Sequence, residues 1–167
     1  MKKHLNIKTR IIRNNASWGN ATLEVYYDPD GFPIKVKGLS DAAVKETLKR
    51  VEEALRHSGY HFVTKGFNFN LKPHNIGPKD DTSFYDLPFA LAIISCTGAE
   101  NLVGLNKRAI YGRFTDMDKI VTERMYEGDI IGNTLKEVIS TFKNQPKKKE
   151  PDNTEQKLFE IDQSAIP

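Results

Sequence analysis

Asp86-Leu87-Pro88-Phe89-Ala90-Leu91-Ala92-Ile93-Ile94-Ser95-Cys96 is the stretch that decides how this chain folds. From Leu87 to Cys96 it reads as one apolar run rich in Leu, Ile and Ala. The run falls far short of the roughly 20 residues a membrane span needs. Pro88 is tolerated in the first turn of a helix, where a missing N–H has no intrahelical partner to lose. Gly98 can end such a helix. The stretch therefore predicts a buried central helix. Asp86 stands at its start, where a carboxylate caps free N–H groups and meets the positive end of the helix dipole. A functional polar contact is the other reading of Asp86.

Upstream, a second helix is written in the spacing. Ala43, Val44, Thr47, Leu48, Val51, Ala54 and Leu55 recur three and four residues apart, with Lys45, Glu46, Lys49, Arg50, Glu52 and Glu53 on the opposite side. Ser40 or Asp41 can cap its start and Gly59 its end. Strands surround it. Leu5, Ile7, Thr9 and Ile11 alternate with polar residues, as do residues 21–27 and Phe32, Ile34 and Val36. Turns are expected at residues 14–20 and at Asp28-Pro29-Asp30-Gly31, which predicts an antiparallel meander. Phe67 to Leu71 alternates again.

The segment from Lys72 to Ser83, with Pro73, Gly77 and Pro78, reads as a loop. Lys72, His74, Asn75, Lys79 and Asp80, together with Asp86, are the best candidates for binding, because binding residues concentrate on loops held by a rigid scaffold. A solvated connector is the competing reading. Downstream, residues 108–114 suggest a strand, and Thr134 to Phe142 a short amphipathic helix capped by Asn133.

Composition bounds the rest. The 167 residues suit one domain, 1–143, and a charged tail, 144–167. Gln145 to Asp152 holds two prolines and alternating blocks of charge, too polar to offset chain entropy by burial, so the tail is expected to be disordered. Leu158, Phe159 and Ile161 could dock, and Lys147-Lys148-Lys149 could touch phosphates, but Glu150, Asp152 and Glu155 balance those charges. A net charge of +3 implies no particular partner. Cys96 is the single cysteine, which excludes an internal disulfide and a cysteine-based zinc cluster. The N-terminus is basic but then alternates, unlike a signal peptide. The expected location is the cytoplasm.

Several ordered segments carry a family likeness. Val36 to Glu46, Arg50 to Tyr60, Phe69-Asn70-Leu71-Lys72-Pro73, and Lys79 with Asp86 to Ile93 resemble the N-terminal, ChlI-type domain of magnesium-chelatase-like, competence-type AAA+ proteins. Thr134 to Phe142 is similar to a later family segment. The resemblance covers most of residues 5–143. It implies an α+β, ribosomal protein S5 domain 2-like fold, in which a mixed β-sheet carries helices mainly on one face. It also implies kinship with the Lon protease domain.

Two departures matter for chemistry. The family's full-length members continue into a Walker A ATPase, but no G-x-x-x-x-G-K-[ST] occurs in this sequence. The chain is thus expected to be a stand-alone version or a separated N-terminal part, with residues 114–134 abbreviated. The Lon relatives use a serine nucleophile just before the central helix and a lysine base. Aligned on Asp86-Leu87-Pro88, that nucleophile position holds Phe84, and an aromatic ring cannot attack a carbonyl. Ser83 is one residue away and is the remaining weak candidate. Lys107 and Lys119 are the only lysines in the general region. His57 and His61 stand four apart, but Gly59 interrupts the helix that would align them as metal ligands. No cofactor is expected.

Three functions compete on this reading. The leading one is a non-catalytic interaction or scaffold domain, associating with itself or with an AAA+ ATPase partner. The second, implied by the resemblance to competence-type proteins that work on DNA, is a DNA-binding accessory domain for recombination or DNA uptake, using Trp18, Tyr26, Tyr27 and Phe32 near Lys35 and Lys37. The third is a degenerate Lon-type Ser/Lys peptidase. No membrane partner is expected, and magnesium chelation itself does not follow from the family's label.

Overall fold

Alternation at the start of the chain builds two long strands. The computed structural model of the chain describes residues 1–13, 16–74 and 80–143, with backbone alone for 16–18. β1 (Lys3–Arg13) and β2 (Ala16–Tyr27) pair antiparallel from Lys3↔Tyr27 to Arg13↔Ala16, with one irregularity at Ile11/Ile12. Residues 16–20 are therefore strand and not the expected turn. The ladder with β1 satisfies their backbone groups and outweighs the local preference of Ser, Gly and Asn for turns. Asn14 and Asn15 lie outside the described residues, as do 144–167.

The meander is also corrected. β3 (Lys35–Lys37) does not lie beside β2. It runs parallel to β4 (Phe67–Lys72), which pairs antiparallel with β2, giving the order β1-β2-β4-β3. Parallel neighbours need a crossover, and α1 (Asp41–His57) between β3 and β4 supplies it. The result is an α+β fold on a mixed sheet.

Register then sorts the side chains. Ile7, Thr9 and Ile11, Ala21, Leu23 and Val25, and Phe67, Phe69 and Leu71 are all buried on one side of the sheet. α2 (Asp86–Cys96) lies on that side, with the rings of Phe89 and Phe69 stacked 4.4 Å apart, and is also in contact with α1. Every residue from Asp86 to Ile94 is buried, as expected of a helix that is apolar almost all round. Burying each of its large apolar side chains contributes about 2 kcal/mol.

The caps explain where the helices stop. Ser40 Oγ accepts from Ala43 N–H at 3.1 Å at the start of α1. At its end Gly59 takes a φ of +89° while Tyr60 N–H donates to Leu55 O at 2.8 Å. α2 ends at Gly98 with a φ of +79°.

The later elements are shorter. β5 (Arg113–Thr115) and β6 (Lys119–Val121) form a small hairpin. The strand expected over 108–114 starts only at Arg113, because its first half is bonded elsewhere. Ile110 N–H donates to Lys8 O at 2.8 Å, and Gly112 bonds Phe84 O and Leu87 N–H. α3 (Leu135–Phe142) is capped by Thr134, whose Oγ1 accepts from Glu137 N–H at 3.2 Å. Asn133 instead donates its backbone N–H to Glu137 Oε1 at 2.8 Å. Among the described residues no helix is long and apolar enough to cross a membrane.

Candidate functional site

The segment leading into α2 holds Asp80, Ser83 and Asp86 of the candidates. A 3-10 turn over Thr82–Tyr85 precedes the helix, and Asp81 caps it. Asp81 Oδ1 accepts from Ser83 N–H at 3.1 Å and from Ser83 Oγ at 2.5 Å, while Asp81 Oδ2 takes a 2.6 Å bond from Arg124. The Ser83 hydroxyl is therefore engaged as a donor to a carboxylate. Among the described residues no lysine is hydrogen-bonded to it.

Phe84 is 1% exposed and packs with Ile12 and Tyr111 in a small cluster beside the main core. The Arg124 guanidinium lies 5.8 Å from its ring centroid. The side chain has no reactive group and fills its position with apolar volume. Tyr85 follows, buried, and burial pushes its phenol well above the usual tyrosine range.

Asp86 is fully buried and belongs to a separate arrangement. Arg50 on α1 donates Nε to its Oδ2 at 2.6 Å and Nη2 to its Oδ1 at 3.2 Å, and Phe114 N–H adds a third bond at 3.2 Å. One carboxylate thus ties α1, α2 and β5 together. Burial pushes its pKa up to about 6 against the opposing pull of Arg50. Bidentate guanidinium–carboxylate pairing of this kind is the stronger class of charge-assisted bond.

The other predicted loop residues divide. Lys72, at the end of β4, places Nζ 3.3 Å from Glu24 Oε1. His74 Nε2 sits 2.5 Å from Asn70 Oδ1. Asp80 pairs with Arg13 Nε at 2.7 Å, on the edge of β1. Asn75 and Lys79 lie outside the described residues. Lys72 and His74 therefore stand together near Asn70, whereas Asp80 and Asp86 are each held in an ion pair of their own. His57 lies 3.8 Å from Asp118. Arg13, Arg50 and Arg124 were not singled out from sequence. Only the cap position of Asp81, one residue before the turn, carried a local signal toward this network.

The other side of the sheet is uncovered and carries a different set. At one end a depression of about 300 Å³ is walled by residues that include Lys2, Lys3, Tyr26, Phe32 and Lys35. Phe32 is 84% and Tyr26 44% exposed. The rings of His4 and Tyr26 stack 4.3 Å apart at 4°. Tyr26 OH donates to Glu24 at 2.9 Å, and that bond, with Lys72 nearby, lowers the Glu24 pKa. Of the residues suggested for this surface, Tyr26, Phe32 and Lys35 come together. Tyr27 also lines the depression but packs its ring, tilted, against the buried Phe67, and the Trp18 side chain lies outside the described residues.

Comparison with known proteins agrees with this architecture. A family model described as "Subunit ChlI of Mg-chelatase" matches residues 24–122, more than half of the chain, from within β2 to just past β6. The chain is 37% identical over 89 residues to the uncharacterized protein YifB of Salmonella typhimurium, covering 53% of this chain and 17% of that protein. It is 36% identical over 77 residues to the YifB protein of Escherichia coli, covering 46% and 15%. The match thus spans about a sixth of the length of these curated relatives.

Proposed function

Because the chain belongs to the ChlI family of Mg-chelatase subunits, we propose that it is a non-catalytic interaction domain that assembles with copies of itself or with an AAA+ ATPase. The family is described as a subunit, a component of an assembly, which favours association over an isolated role.

The observation that carries the reading is the side chain at the entrance to α2. On the Asp86-Leu87-Pro88 correspondence with Lon-type serine–lysine peptidases, Phe84 stands where the nucleophile would be, and it is 1% exposed. Covalent catalysis needs a nucleophile bonded to a base that removes its proton. The neighbouring Ser83 hydroxyl donates to Asp81, which Arg124 also holds. Asp81, the cap of the turn and itself held by Arg124, keeps that hydroxyl engaged as a donor. Asp86, at the start of α2, is bonded to Arg50 and Phe114 and is buried. Both acids do structural work in this account, and the domain offers surfaces in place of a reaction centre. A cytoplasmic location is part of the same proposal.

The test is turnover of fluorescently labelled casein by the full chain and by Ser83→Ala. The expected result is no turnover by either protein. Cleavage by the parent chain that disappears in Ser83→Ala would establish the peptidase reading and overturn this one.

A further inference from the structure

β1 is an edge strand, the first in the order β1-β2-β4-β3, and later segments of the chain cover its outer side only along its second half. Ile110 N–H donates to Lys8 O at 2.8 Å from that side, and farther on Asp81 N–H donates to Ile12 O at 2.7 Å. In an antiparallel ladder alternate residues turn both backbone groups away from the partner strand. Lys8 is one of these, so Asn6 and His4 send N–H and C=O outward as well. Among the described residues no backbone group bonds either of them there. The other edge, β3, is three residues long and carries Lys35 and Lys37, and short length and lysines both blunt an edge.

Side chains flank this uncovered stretch differently on its two faces. Toward the helices stand Leu5, half-buried against the core, and Ile7, fully buried. On the opposite face stand His4, Asn6 and Lys8, all exposed. Lys8 is in no ion pair among the described residues. A strand seated here needs apolar residues on one face and acidic ones on the other. Outside the described residues, Phe159-Glu160-Ile161-Asp162 has that alternation. Extended, it puts Phe159 and Ile161 on one face and Glu160 and Asp162 on the other. Residues 150–162 hold five acidic side chains and one lysine, a charge opposite to that of Lys3 and Lys8 on β1. Residues 144–157 span up to about 45 Å when extended. A domain of this size has a radius of gyration of about 15 Å, so the segment reaches β1 from Lys143.

We infer that residues 159–162 dock on β1 of their own chain as a fifth strand, bonded to the outward backbone groups of His4 and Asn6, with Phe159 and Ile161 beside Leu5 and Ile7 and the two acids beside Lys8. Strand addition answers both needs of an uncovered edge, since a peptide alone supplies alternating donors and acceptors at the ladder's spacing. The β1 of a second copy fits worse, because edge-to-edge pairing sets Lys3 and Lys8 of one chain near the same lysines of the other. The docked strand belongs to one chain, so the inference is independent of the assembly proposed above.

Amide hydrogen exchange, read residue by residue by NMR on the full isotope-labelled chain, tests it. The His4 and Asn6 amides are expected to be protected in the parent chain. They should exchange about tenfold faster when Phe159→Ser and Ile161→Ser are combined, while the amides of β2 and β4 keep their rates. Lys8→Glu should also speed their exchange, and adding Glu160→Lys and Asp162→Lys to it should restore protection. Unprotected His4 and Asn6 amides in the parent chain overturn the inference, as does protection that survives the loss of Phe159 and Ile161. A mixture of labelled and unlabelled chains identifies which chain supplies the strand. Through-space contacts of Leu5 with Phe159 or Ile161 within one chain support the inference. The same contacts between labelled and unlabelled chains overturn it and make a second copy the occupant.

Discussion

Taking a carboxylate wholly out of water costs several kcal/mol unless partners replace its hydration, and at Asp86 those partners are visible. Arg50 supplies two bonds and Phe114 N–H a third. Burial still dominates, and the pKa is pushed up from 3.8 to about 6. A folded-state pKa above the unfolded one contributes stability that is fully present below about pH 4 and is lost as pH rises through about 6. The wild-type chain should therefore lose stability relative to Asp86→Asn between pH 4 and pH 7, read from urea midpoints at each pH. A wild-type advantage that grows over that range would mean the ion pair outweighs burial. The sequence offers Asp86 as the first residue of a helix or as a functional polar contact, and names no partner for it. Its partner Arg50 lies 36 residues away, and a pair so distant leaves no local pattern. Ser83 teaches the same lesson: its proximity to the nucleophile position is legible, but its bond to Asp81 is a matter of geometry.

At the level of elements, helices were easier to read than strand partners. The apolar stripe of α1 and the continuous apolar run of α2 are local properties, and Ser40, Gly59 and Gly98 mark their ends in the chain itself. Pairing is not local. The third strand alternates equally well beside β2 or beside β4, and the crossover through α1 decides between them. Gly38, at the β3-to-α1 junction, holds that crossover close to the sheet. Its φ is +101°, and a Cβ there would come 2.5 Å from Leu71 O and 2.9 Å from Leu71 Cβ in β4. Gly38→Ala should cost about 3 kcal/mol through backbone strain and this collision. Gly59→Ala has the same backbone penalty, but nothing lies within 4 Å of its added methyl. It should cost only about 1 kcal/mol. Thermal melts of the two variants should show the larger drop for Gly38→Ala, and equal drops would mean the contact with β4 relaxes freely.

For the whole molecule, a net charge of +3 conceals an asymmetric distribution. Acidic side chains pair with arginines around α1, α2 and the later loops, while among the described residues Lys8, Lys35 and Lys37 on the open sheet face are in no ion pair. The aromatic and basic residues near Tyr26 and Phe32 were legible as a group because they are close in sequence. Lys8 joins them only because β1 lies alongside β2, a fact of topology. A helix-covered side and a bare side give the domain two distinct roles to fill, packing and contact. The proposed role of this chain is association. Light scattering of the full chain as it elutes from a sizing column, alone and mixed with the full-length Escherichia coli relative, reads that association. A mass above the 19.0 kDa of one chain when alone, or co-elution of the chain with the relative in the mixture, is predicted. A 19.0 kDa species alone that also elutes apart from the relative in the mixture would contradict it.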